Sequence, residues 1–257
     1  MTDGSHDGPG ADTRAETDPS LDVSNAPSDA GGAAPDAPAA AAAIFGDRLD
    51  LAQQYAQHLA NTGITHGLIG PREVPRLWDR HILNCAVIGE VIPQGATVID
   101  VGSGAGLPGI CLAISRPDLR ITLVEPMERR TTWLRTVCTD LGLANVAVER
   151  ARAEELQGRL NADIVTARAV AALDKLARWC LPLVVPGGRL VAMKGSSAQR
   201  EITEAGPTLR RLGGISPSVQ ECGVNVVDPP TTVVIVDKST AVPGGVGSRR
   251  RPGRTRP

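Results

Sequence analysis

The chain has 257 residues, a net charge of −1, five cysteines and four histidines, a length that accommodates one ordinary domain with extensions. The cysteines (Cys85, Cys111, Cys138, Cys180, Cys222) never form a CxxC pair and share no metal-ligand spacing with the histidines. They read as small buried thiols of a reducing compartment rather than a metal site or a disulfide framework. No apolar secretory core opens the chain and no run is long enough to cross a membrane, so a cytoplasmic protein is expected.

Residues 1–43 carry eight acids (Asp3, Asp7, Asp12, Glu16, Asp18, Asp22, Asp29, Asp36) against Arg14 alone, among Ala, Pro, Gly and Ser. Such a stretch buries too little apolar surface to offset the entropy of ordering, which predicts a disordered acidic tail. Residues 44–93 then read as an N-terminal helical extension. Phe45, Leu49, Ala52, Ala56 and Leu59 recur at helical spacing up to Gly63. A second helical pattern follows Pro71, with Val74, Leu77, Trp78, Ile82, Cys85 and Ile88 on one broad face ending before Pro93.

From residue 94 the period changes. Thr97-Val98-Ile99-Asp100-Val101 is a short apolar run ending in glycines, the form of a strand buried on both faces. Strands follow at 121–125, 145–149, 163–166, 189–193, 216–221 and 231–237, separated by helices through Trp133, Leu134 and Val137, over Leu173, Leu176 and Trp179, and across about 198–212. Alternating strand and helix with a closing pair of strands predicts an α/β core over 94–238: a seven-stranded, mostly parallel, Rossmann-like sheet covered on both faces. Residues 239–257 hold Arg249, Arg250, Arg251, Arg254 and Arg256 without an acid and read as a disordered basic tail. Arginine outnumbers lysine 24 to 3, a mark of a GC-rich bacterial genome rather than of a function.

The informative segment is Asp100-Val101-Gly102-Ser103-Gly104-Ala105-Gly106-Leu107-Pro108-Gly109, a glycine loop at the carboxyl end of the first strand, where open α/β sheets bind ligands. Gly104, Gly106 and Gly109 also satisfy GxGxxG, with Glu125 about twenty residues on, so a nicotinamide or flavin nucleotide competes for the same loop. Asp100 favours another ligand. A carboxylate at the strand end repels a pyrophosphate but suits the ammonium and sulfonium of S-adenosylmethionine. Glu125, ending the second strand, can accept hydrogen bonds from ribose hydroxyls. Glu154 in Arg152-Ala153-Glu154-Glu155 either holds the adenine or starts a solvated helix. Arg168, closing the fourth strand at the same sheet edge, reads as a partner for a cofactor carboxylate or an RNA phosphate, since unpaired arginines are rarely core. Asp228-Pro229-Pro230 matches part of the [DN]PP[YFW] motif, but it precedes the last strand and is followed by Thr231, so it reads as a turn.

Over about 70–240 these runs resemble the small-subunit ribosomal RNA guanine-N7 methyltransferase G family, also called glucose-inhibited division protein B. The resemblance is carried by Trp78-Asp79-Arg80-His81-Ile82-Leu83-Asn84, by Asp100 to Gly109, by Arg152 to Glu155, by Thr166-Ala167-Arg168-Ala169-Val170, and by Pro186-Gly187-Gly188-Arg189-Leu190 with Lys194-Gly195. The glycine loop is shared by many methyltransferases; the runs around His81 and Arg168 select this family. The resemblance implies a class I S-adenosylmethionine-dependent methyltransferase acting on a guanine of the 530 loop of 16S rRNA, in the 30S subunit or an assembly intermediate. By position, Gly102, Leu107, Ala153, Glu154 and Arg168 would be cofactor contacts, beside Asp100, Gly104 and Glu125. The family often has Asp-Ser where this chain has Asn84-Cys85.

Guanine N7 is a ready lone pair, so its methylation needs positioning more than a general base. Arg168 is the positioning candidate; His81 is either a helper or a partner in a capping or interhelical hydrogen bond. Arg129, Arg130 and Arg135 and the C-terminal arginines could meet phosphates or simply form a solvated face and tail. The three tryptophans fall on helical apolar faces, which leaves no stacking platform. A monomer is expected. Alternatives are a small-molecule methyltransferase with the same cofactor site, a nicotinamide-dependent oxidoreductase and a non-enzymatic nucleic-acid binder.

Overall fold

A computed structural model of the chain describes residues 32–168 and 171–240. Seven strands form one sheet, β1 (Thr97–Val101), β2 (Arg120–Val124), β3 (Val146–Glu149), β4 (Ala162–Arg168), β5 (Val184–Met193), β6 (Gly214–Cys222) and β7 (Thr231–Lys238), in the order β3-β2-β1-β4-β5-β7-β6. β1 to β5 pair in parallel, and β7 runs antiparallel to both β5 and β6. The Rossmann-like expectation holds, with β7 as the reversed strand. Pro186-Gly187-Gly188, read as a turn before the fifth strand, lies inside β5, where the register to β4 jumps between Ala162 and Ile164.

Strand alternation decides what each face buries. Val98, Ile121, Leu123, Ile164, Val191 and Ile235 enter one core, together with the N-terminal helices α1 (Ala39–Phe45), α2 (Leu49–Ala60) and, beyond the short α3 (Thr62–Thr65), α4 (Leu83–Ala86), and with α5 (Gly109–Ser115) and α6 (Glu128–Asp140). Ile99, Val101, Val124, Val165, Leu190 and Val236 enter the other, against α7 (Leu173–Cys180) and α8 (Ala198–Arg211). Each fully buried Leu or Ile stabilises the fold by about 2 kcal/mol relative to leaving it exposed.

Two expectations are corrected. The acidic tail does not reach residue 43. Pro38 precedes a helix that buries Ala41 and Phe45, the Trp78 indole N–H donates to the Pro35 carbonyl at 2.8 Å, and the Ala34 amide donates to Gln57 at 3.0 Å. Alanine-rich sequence lacks large side chains, but small ones suffice where Phe45 and Trp78 supply the surface, and these rings meet edge to face at 6.5 Å. The tail reading for 1–31, and that for 241–257, lies outside the described residues. The pattern after Pro71 is not one helix either. The backbone runs as a 3₁₀ segment (Pro71–Arg76), a π segment (Leu77–Ile82), α4 and a second 3₁₀ segment (Val87–Val91). Pro75 lacks an amide hydrogen and sits inside the first of these, which breaks the α-helical ladder.

Candidate functional site

The glycine loop joins β1 to α5 at the carboxyl edge of the sheet. The amides of Gly102 and Ser103 donate to the Val124 carbonyl at 2.9 and 3.1 Å, which folds the loop back over β2. Gly104 adopts a φ of +55° and faces open space, since a Cβ there would meet nothing closer than the Gly102 carbonyl at 3.9 Å. Gly109 answers a different need: a Cβ would lie 2.2 Å from Leu123 and 2.9 Å from an Asp100 oxygen. The last glycine of the GxGxxG match is thus needed for helix–sheet packing, not for approach to a ligand.

Asp100 lies beneath the loop. It is fully buried, and its Oδ2 accepts the Gly109 amide at 3.0 Å. Burial pushes its carboxyl up to about 7, against the pull of the Gly109 and Ser103 hydrogen bonds and the nearby Arg168 charge. Its Oδ1 has no partner, and neither does Oγ1 of Thr166, its neighbour across the β1–β4 register. Asp100 thus braces the start of α5, on the face it shares with Val98. Glu125 holds the loop from the other side. Its Oε2 accepts the Gly104 amide at 3.1 Å, its Oε1 accepts Met127 at 3.1 Å, and Arg130 stands 3.7 Å away. Both oxygens keep lone pairs for a hydroxyl.

Beside the loop opens a cleft of about 220 Å³ lined by Gly102, Val124, Pro126, Ala153, Glu154 and Trp179, among others. Glu155 accepts the Arg152 amide at 2.9 Å and so fixes the turn Ala153–Leu156, leaving exposed Glu154 at the cleft wall. Apolar walls with a single carboxylate, beside a glycine that admits close approach of the backbone, suit an adenosine, so the residues fit S-adenosylmethionine. Trp179, read from sequence as a core face of its helix, is half-buried on this wall with the Lys175 ammonium 5.0 Å from its ring centre. Gly102, Ala153 and Glu154 come together at the cleft. Leu107, nearly buried, packs into the core below the loop instead.

On the opposite face of the same edge, β4 delivers Arg168 to the N-terminal helices. Its Nη1 donates to Cys85 Sγ at 3.0 Å and its Nη2 to His81 Nδ1. A guanidinium only donates, so Nδ1 is the acceptor and the imidazole proton sits on Nε2, which reaches Glu73 Oε2 at 2.8 Å. Burial and the Arg168 charge lower the proton affinity of His81, and Glu73 opposes them. Cys85 is pushed up by burial but drawn lower overall by its hydrogen bonds with Cys111 and Arg168. Cys85, the departure from the family's Asp-Ser pair, is therefore where sulfur meets Arg168. The helices also reach the glycine loop directly, because buried Tyr55 donates to the Ala105 carbonyl at 2.7 Å.

Sequence reasoning did not single out Glu73, Tyr55, Trp179 or the ion pair of Lys194 with Glu201 at 2.8 Å. Lys194, in a run already noted, also donates to the Ala171 carbonyl at 2.6 Å. The arginines of α6 are not one free face: Arg130 stands by Glu125, and Arg135 donates to the Val148 carbonyl at 3.3 Å. Asp228 lies in the exposed loop before β7, as a turn residue should.

The profile of the family described as GidB, rRNA small subunit methyltransferase G, matches residues 48–227. The ribosomal RNA small subunit methyltransferase G of Salinispora arenicola is 55% identical over 231 residues, covering 86% of this chain and 96% of that one. The protein of the same name from Pseudarthrobacter chlorophenolicus is 60% identical over 195 residues, covering 76% and 90%. Among solved structures, an O-methyltransferase family protein from Burkholderia thailandensis superposes with a TM-score of 0.50 at 13% identity, over 74% of this chain and 63% of that one, a likeness of fold.

Proposed function

The chain belongs to the rRNA small subunit methyltransferase G family, and from that premise we propose that it methylates N7 of a guanine in the 530 loop of 16S rRNA, in the cytoplasm, on the 30S subunit or an assembly intermediate. It is an S-adenosylmethionine-dependent rRNA methyltransferase; the atom and the loop are the proposal. The observation that carries it is the meeting of two runs far apart in sequence. His81, of the run 78–84, and Arg168, of the run 166–170, touch beside the glycine loop, and these two runs distinguish the family from methyltransferases that share only the loop.

When bound, S-adenosylmethionine supplies the methyl group on a sulfonium. In this reading Gly102, Ala153 and Glu154 hold its adenosine, Glu125 and Gly104 its ribose, and Asp100 and Leu107 shape the loop from beneath. Arg168 presents a fixed cation to a carboxylate or a phosphate. N7 offers its lone pair in the major groove without losing a proton, so these side chains have only to hold the two reactants in line and keep the cation in place.

Mass mapping of modified nucleosides in 16S rRNA, from cells with and without the gene, tests this. The expected result is a 7-methylguanosine in the 530 loop that vanishes with the gene. An unchanged rRNA map, with methyl transfer to a small molecule, would contradict it.

A further inference from the structure

The mechanism leaves one group unused. Glu73 sits on the 3₁₀ segment Pro71–Arg76, with its side chain 31% exposed, and its two oxygens go to different partners: Oε1 to Arg80 at 3.1 Å and Oε2 to His81 Nε2 at 2.8 Å. His81 is nearly buried and spends its other nitrogen on Arg168. Among the described residues no carboxylate forms an ion pair with Arg168; its recorded side-chain partners are a thiol and an imidazole. Neither is a carboxylate, so the geometry of the guanidinium is fixed without a carboxylate ion pair.

The imidazole can do this in one state only. With the proton on Nε2 it donates to Glu73 and accepts from Arg168. With the proton on Nδ1, or on both nitrogens, it opposes Arg168 donor to donor. We infer that Glu73 is a positioning residue for methyl transfer: by accepting the Nε2 proton it fixes the His81 tautomer that holds Arg168 at the rim of the glycine-loop site. This rests on the methyl-transfer reading above. The groups facing His81 are Glu73 from the preceding 3₁₀ segment, Arg80 from its own π segment and Arg168 from β4, with Cys85 beyond the guanidinium. Burial and Arg168 already place the proton affinity of His81 below its ordinary value, so the holding state prevails at neutral pH. It is lost as pH falls through that lowered value.

The test uses the full chain, 30S subunits from cells lacking the gene, and saturating cofactor. Glu73→Leu is expected to lower kcat about tenfold with little change in KM, because a displaced cation acts on the transition state. The same substitution in a His81→Leu background is expected to change kcat less than about twofold, because the two residues act in series. Glu73→Gln keeps an acceptor for Nε2–H and is expected to restore most of the rate. It also moves the acidic limb of kcat to lower pH, because the carboxylate that favours the imidazolium is gone. Nitrogen-15 spectra of the substrate-free protein are expected to show His81 protonated on Nε2 in the wild type and in Glu73→Gln, and mixed tautomers in Glu73→Leu. Equal losses of kcat in both backgrounds, or a wild-type His81 protonated on Nδ1, would overturn the inference. If the Leu variants fail to fold, the Glu73→Gln profile and the wild-type spectrum still decide. If the wild type transfers no methyl group to 30S subunits, the rRNA reading fails, while the tautomer measurement still judges the role of Glu73.

Discussion

Two regions meet at the site, and each positions its residues by different means. The sheet presents Asp100, Glu125 and Arg168 at the ends of β1, β2 and β4, where regular ladders and two apolar cores leave the backbone little freedom. The segment 71–91 presents Glu73, His81 and Cys85 from a backbone that passes through 3₁₀, π and α forms within about twenty residues. In the sheet, polar groups serve the backbone: Asp100 takes the Gly109 amide and Glu125 the Gly104 amide. In the helical segment they serve one another, from Glu73 to His81 to Arg168. The sheet therefore fixes where a ligand can lie, and the helical cap fixes how one cation faces it.

The strongest way to sharpen that contrast is to remove the buried charge of the sheet. Asp100 ionises near 7 in the folded protein and near 4 when unfolded. Between those values the unfolded chain sheds the proton first, so wild-type stability falls as pH rises through about 4 to 7, by about 4 kcal/mol at most. Asp100→Asn keeps an acceptor for Gly109 and carries no such penalty. Thermal melts should show the variant close to wild type at pH 4.5 and clearly more stable at pH 8. Parallel curves at both pH values would mean that Asp100 is not a buried, reluctant carboxylate.

A smaller effect is expected from the edge of the cap. Deleting 1–43 removes Ala41 from the core, most of α1 and the Pro35 carbonyl that Trp78 uses. The cost is about 2–3 kcal/mol, or roughly 5–10 °C in Tm for a domain of this size. Deleting 1–31 takes away none of these contacts. Calorimetric scans of the two truncations should therefore separate, and matching Tm values would show that the segment 32–43 adds nothing.

The same contrast explains what the sequence disclosed. Parallel strands buried on both faces are continuous apolar runs, so Val98 to Val101 or Ile121 to Val124 can be placed to within a residue or two, and the glycine loop follows from where β1 ends. Glu73 was invisible because eight residues separate it from His81, a spacing that joins two side chains only when the backbone changes helix type between them. Trp179 follows an apolar helical period, and only the edge of α7 turns it toward the cleft. The place of Asp100 at the strand end was legible, but its direction was not. The signal was parity with Val98, which puts both under α5. The end of the acidic tail was missed because alanine-rich sequence gives no apolar period, although larger neighbours can cover it.

The division of labour between sheet and cap is tested most directly by calorimetric titration of S-adenosylhomocysteine into Gly102→Asp and His81→Leu. Gly102 lines the cleft with a φ of +72°, so an Asp side chain both strains the loop and fills the ligand's space. That variant is expected to lose measurable binding while still melting cooperatively, with a Tm only a few degrees (~2–4 °C) lower. His81→Leu is expected to bind within about fivefold of wild type, since it disturbs the orientation of Arg168 but leaves the cleft intact. Unchanged affinity in Gly102→Asp, or lost affinity in His81→Leu alone, would contradict the division.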